Sequence, residues 1–84
     1  MADITKRFVY MLRSEQNECP YVGVTSDVQR RLATHNSGGS LFTAPHRPWR
    51  VVVTLEFPTE KRALTFERYL KSGAGRAFAK RHFN

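Results

Sequence analysis

Two charged residues fall where helices should carry apolar ones. Val28, Arg31, Leu32 and His35 stand at i, i+3, i+4 and i+7, so they share one stripe of a helix. Arg31 and His35 are neighbours on that stripe, whereas Arg30 falls on a different face. On spacing alone Arg31 reads as a packed stem at the edge of the stripe with its head in water. Ala63, Phe66, Glu67 and Leu70 repeat the spacing further on. A carboxylate inside an apolar stripe is costly unless a cation pairs with it. Glu67 therefore reads as half of a salt bridge to one of the many arginines, or as a ligand for a hard cation such as Mg²⁺. Such an ion favours carboxylate oxygen and keeps most of its waters. Tyr10 and Tyr21 read as aromatics of a core or interface with hydroxyls reaching solvent. His46 and His82 form no metal-ligand spacing, and no Ser/His/Asp arrangement, phosphate-binding glycine loop or zinc-finger pattern is present.

The elements that must position these residues follow from periodicity and punctuation. Arg7 to Arg13 is an apolar run bounded by charges, which suits a strand buried on both faces. Ser14 to Glu18 is turn-like, and Tyr21 to Thr25 reads as the second strand of a hairpin. Gly23 inside it lets something approach the backbone closely. Ser26 to Gln29 reads as a capping box, with Ser26 as the cap and Asp27 at the positive end of the helix dipole. That helix should run to about Asn36 and stop at Gly38-Gly39. Residues 37 to 48 form a loop rich in Ser, Gly, Pro and His.

Trp49 to Phe57 is the clearest strand. Trp49, Val51, Val53, Leu55 and Phe57 alternate onto one face, and Arg50, Val52, Thr54 and Glu56 onto the other. Thr59 should cap a second helix from about Glu60 to Lys71, which Ser72-Gly73 breaks. A short third helix, about Gly75 to Arg81, follows, with Ala77, Phe78 and Ala79 as its apolar residues. The order is β-β-α-β-α-α. Three strands need helices to cover them, so the fold class is α/β (α+β): a three-stranded, largely antiparallel sheet flanked by helices.

Eighty-four residues leave room for one domain, residues 1–84, and no enclosed cavity for a large cofactor. The N-terminus lacks the apolar stretch of a signal peptide, and no run approaches the roughly 20 apolar residues of a membrane span, so the default location is cytoplasmic. The single Cys19 can form neither an internal disulfide nor a Cys-rich zinc site. Fourteen Lys and Arg against seven Asp and Glu give +7. Ten of those cations are Arg, whose rigid fork of donors suits phosphate oxygens. After Glu67 come Arg68, Lys71, Arg76, Lys80 and Arg81 with no acidic side chain among them. That balance favours a nucleic-acid partner, with Arg30 and these five as candidate contacts.

Phe8-Val9-Tyr10, a short gap, Tyr21-Val22-Gly23, then Arg31, His35 and a later Glu67 resemble the GIY-YIG nuclease superfamily. The resemblance spans roughly residues 7 to 72 and is strongest to small standalone bacterial members. The loop from Phe42-Thr43 to Arg47-Pro48-Trp49-Arg50-Val51-Val52 is also similar to theirs. Phe8 stands in place of the first glycine of the name-giving motif, and Val9 and Val22 in place of isoleucines. Val24 stands where some members carry lysine. A downstream active-site asparagine has no counterpart, Asn84 being terminal. The resemblance implies a metal-dependent endonuclease acting on DNA, in repair or recombination. It implies catalytic Tyr10, Tyr21, Arg31, His35 and Glu67, with one tyrosine as general base on a water. Arg31 would steady the scissile phosphate, and Glu67 would hold one divalent metal, Mg²⁺ or Mn²⁺. A nucleic-acid-binding module with weak or no catalysis is the alternative.

Overall fold

A computed structural model of the chain describes residues 6–83. The reading of a leaderless N-terminus and the terminal Asn84 fall outside them. The elements are β1 (Arg7–Ser14), β2 (Pro20–Thr25), α1 (Val28–Ser37), β3 (Trp49–Phe57), α2 (Glu60–Leu70) and α3 (Gly73–His82). A single 3-10 turn, Ala44–His46, interrupts the loop before β3. The sheet order is β2-β1-β3 and both pairings are antiparallel, as the sequence implies. No described helix is long and apolar enough to cross a membrane.

β1 is buried on both faces because it is the central strand. Val9 and Met11 face one side and pack with Ala63 and Leu70 of α2 and Ala79 of α3. Tyr10 and Leu12 face the other and pack with Trp49 and with Val28 and Leu32 of α1. One face is therefore sealed by α2 and α3, the other by α1. Fully burying each large apolar side chain contributes about 1.5–3 kcal/mol.

Four expectations change in detail. Trp49 and Val51 do not share a face with Val53, Leu55 and Phe57. The register pairs Met11 with Val53 but Leu12 with Val51, so β3 carries a bulge at Val52 that flips its alternation. Trp49 joins Tyr10 and Leu12, whereas Val52 and Val53 pack toward α2 and α3. The cap of α1 is Asp27, not Ser26: Asp27 is extended at φ −148° and its Oδ1 accepts from Arg30 N at 3.1 Å. Ser26 stands one residue too early to reach a free amide of the first turn. α3 begins at Gly73 because the Ser72 hydroxyl accepts from Gly75 N at 3.1 Å and caps it. Within α3, Ala77 points to solvent, and the buried positions are Gly75 and Ala79. The other boundaries hold: Thr59 caps α2, and α1 ends at Gly38 with φ 85°, the left-handed conformation that glycine adopts without strain.

Candidate active site

Tyr10 lies across the neighbouring strand. Its register partner on β2 is Gly23, and a Cβ there would stand 2.6 Å from the Tyr10 hydroxyl oxygen. The absent side chain gives the ring its place. Tyr10 is 1 % exposed, so its hydroxyl cannot rely on water, and leaving it unbonded would cost about 1–3 kcal/mol. It pairs with His35 Nε2 at 3.0 Å. The reading of a hydroxyl reaching solvent fails for Tyr10 because β1 is central.

His35 is also buried, and its other ring nitrogen pairs with Thr43 Oγ1 at 2.8 Å. Thr43 is fully buried. Its hydroxyl donates to the Ser40 carbonyl at 3.5 Å, and its own carbonyl accepts from Trp49 Nε1 at 2.9 Å. A hydroxyl that donates to Ser40 accepts from Nδ1–H, which leaves Nε2 as the acceptor for the Tyr10 O–H. No buried side-chain polar atom lacks a partner among the described residues.

Arg31 is half-buried on the stripe of α1 that faces the sheet, while Arg30 is exposed. Its guanidinium stands against the hydroxyls of Tyr10 and Tyr21. Burial raises the Tyr10 pKa above its ordinary value, and Arg31 opposes that rise without cancelling it. Burial lowers the His35 pKa, and the Arg31 charge lowers it further. The imidazole is therefore neutral at pH 7. Tyr21 is half-buried, edge-on to His35 at 4.7 Å between ring centroids.

Four of the five catalytic candidates thus meet on the α1 side of the sheet. Glu67 stands apart, on α2, which packs against the opposite face. Its side chain is 21 % exposed and accepts from Lys71 Nζ at 3.1 Å, so the salt bridge forms with the lysine one turn on rather than with an arginine. Among the described residues no three His, Cys, Asp or Glu side chains gather into a metal site. One carboxylate that already holds a cation nevertheless has the donor chemistry Mg²⁺ accepts, since that ion is commonly held by one or two carboxylates plus waters and substrate phosphate. Lys71 and Tyr21 line the same groove, so a phosphate chain there borders both regions.

Of the six cations read as nucleic-acid contacts, Lys71, Arg76 and Lys80 line that groove. Arg30, Arg68 and Arg81 are exposed outside its lining. Two contributors escaped the sequence reading. Thr43 sits in a loop without periodicity, and Arg13, which lines the groove with Tyr21 and Lys71, is the last residue of an apolar run, where a charge reads as a strand boundary.

Residues 6–81 match the family described as the GIY-YIG catalytic domain. The UPF0213 protein BH0048 of Halalkalibacterium halodurans is 37 % identical over 65 residues, 76 % of this chain and 68 % of that protein. The structure-specific endonuclease subunit SLX1 of Scheffersomyces stipitis is 43 % identical over 67 residues, 70 % of this chain but 20 % of that protein. The solution NMR structure of the UPF0213 protein BH0048 from Bacillus halodurans superposes with a TM-score of 0.57 at 30 % identity, covering 95 % of this chain and 88 % of that one. With Tyr10 laid over Gly23, Arg31 beside two tyrosines and the match running nearly end to end, the chain belongs to the GIY-YIG family of nuclease domains.

Proposed function

We propose that the chain is an endonuclease that hydrolyses DNA phosphodiester bonds at the Tyr10–Tyr21–Arg31–His35 cluster, in the service of repair or recombination. The observation that carries this reading is the buried Tyr10 hydroxyl bonded to a neutral imidazole, with the half-buried Arg31 charge near it and near Tyr21. Hydrolysis needs a base for the attacking water and a fixed positive charge against the phosphate. Tyr21 lines the groove and is the tyrosine a substrate reaches. Water oxygen bonds to phosphorus as Tyr21 accepts the water proton and gives its own to solvent. The P–O bond to the leaving sugar oxygen breaks, with that oxygen taking a proton from water. Tyr10, bonded to the neutral His35 at Nε2, holds the cluster in place. Arg31 then opposes the charge that builds on the phosphate oxygens. Glu67 is the residue that would hold a divalent cation, Mg²⁺ or Mn²⁺. Such an ion, when bound, supplies Lewis-acid charge to a phosphate oxygen.

A second reading is a nucleic-acid-binding module with weak or no catalysis. One observation favours it: burial keeps Tyr10 a neutral phenol. A cleavage assay on duplex, single-stranded, branched and damaged DNA separates the two. The nuclease reading expects cleavage that requires Mg²⁺ or Mn²⁺ and disappears in Glu67→Gln. No cleavage of any substrate, or equal cleavage by wild type and Glu67→Gln, contradicts it.

A further inference from the structure

The groove beside Tyr21 has a chemistry that the catalytic cluster does not use. It encloses about 620 Å³, and Arg13, Lys71, Arg76 and Lys80 line it with no carboxylate among its lining residues. Arg13 pairs with Glu18 at 3.8 Å and Lys71 with Glu67 at 3.1 Å. Arg76 and Lys80 have no ion pair among the described residues, so their charge faces the groove and solvent uncompensated.

Between these cations the floor is apolar, built from Met11, Val22, Leu70 and Ala79. Phe42 forms a wall, its ring centroid 6.2 Å from that of Tyr21. Phe42 is 63 % exposed and Leu41 beside it 95 %. Both keep apolar surface in water that a bound partner would cover. Free cations over an apolar floor, with an exposed ring at one wall, complement a polyanion that also presents flat apolar faces. Duplex DNA presents phosphates but keeps its base faces stacked inside. An acidic peptide carries charge without a regular succession of flat faces. An unpaired strand carries both, and proteins that hold one combine a cationic groove with aromatic stacking.

We infer that this groove holds an unpaired DNA strand, with one base stacked on Phe42 and phosphates against Arg76 and Lys80. The substrate then carries a single-stranded segment beside the bond to be cut. The inference rests on the nuclease reading for placing a scissile phosphate at Tyr21, and it names the substrate class of that site.

The test is binding without metal, so that cleavage plays no part. The full chain is titrated with a short oligothymidine carrying one 2-aminopurine, with the same sequence as a duplex, and with polyglutamate as competitor. Wild type should bind the single strand more tightly than the duplex and quench the probe by stacking. Phe42→Leu, which keeps apolar bulk, should weaken single-strand binding about 5- to 150-fold and abolish the quench, while Phe42→Trp restores both. Replacing Arg76 and Lys80 together by Ala should flatten the dependence of log K on log salt by about 0.7 for each phosphate no longer neutralised. Wild-type affinity and quench in Phe42→Leu, tighter binding of the duplex, or displacement of the strand by polyglutamate would each overturn the inference. Strand binding by a protein that cuts nothing contradicts the nuclease reading alone. Cleavage by a protein that Phe42→Leu leaves unaltered in binding contradicts the groove alone.

Discussion

Tyr10 occupies the space that a side chain at Gly23 would take: the hydroxyl oxygen lies 2.6 Å from the position of the missing Cβ. That exclusion fixes the ring over β2 and delivers its hydroxyl to His35 at 3.0 Å. The substitution Gly23→Ala should push the ring aside and break this pairing while leaving the strand formed. A displacement near 1 Å at a reacting group costs about 10²-fold in rate. Single-turnover cleavage should fall by that order, with the circular dichroism spectrum unchanged.

His35 should make stability sensitive to acid. Its folded pKa lies below the unfolded value of about 6.5, first through burial and then through Arg31. The folded state therefore binds fewer protons than the unfolded one in that region. This contribution is present above about pH 6.5 and is lost as pH falls through the folded value. Melting temperature should drop on that limb, and His35→Gln should lose this part of the drop. Tyr10 acts oppositely. Burial raises its folded pKa, so its contribution holds below about pH 10 and fades as pH rises through the folded value.

Thr43 should position His35 without touching substrate. Thr43→Val keeps the shape but removes the partner of Nδ1, leaving a buried ring nitrogen unpaired at about 1–3 kcal/mol. Denaturant unfolding should show a loss of that size. The pH–rate profile should also move, because the tautomer that accepts from Tyr10 is no longer held. Thr43→Ser should restore the profile. A Thr43→Val enzyme with an unshifted profile would confine Thr43 to packing.

The strands and helices were legible because each obeys one period and ends at a strong punctuator, as Thr59 and Gly38 illustrate. Arg31 and Glu67 stood out because each breaks an apolar stripe. The bulge at Val52 was invisible, since all three valines from 51 to 53 suit either face and only pairing with β1 decides which one is extra. Thr43 was hidden for another reason. Its role depends on a loop folding back under α1, which no local pattern encodes. Spacing likewise could not tell that Glu67 would sit on the helix covering the other sheet face.

Arg31 is the charge that opposes the phosphate, and Arg30 is its internal control. Both are cations on α1, but Arg31 faces Tyr10 and Tyr21 whereas Arg30 is exposed. The deciding measurement is single-turnover DNA cleavage at saturating enzyme with Mg²⁺, comparing wild type, Arg31→Ala and Arg30→Ala. Removing a preorganised charge from beside the reacting group costs about 10²–10³ in rate. Arg31→Ala should therefore fall by that factor with its fold intact, and Arg30→Ala should stay near the wild-type rate. Equal rates for the two variants, or the greater loss in Arg30→Ala, would contradict this role for Arg31.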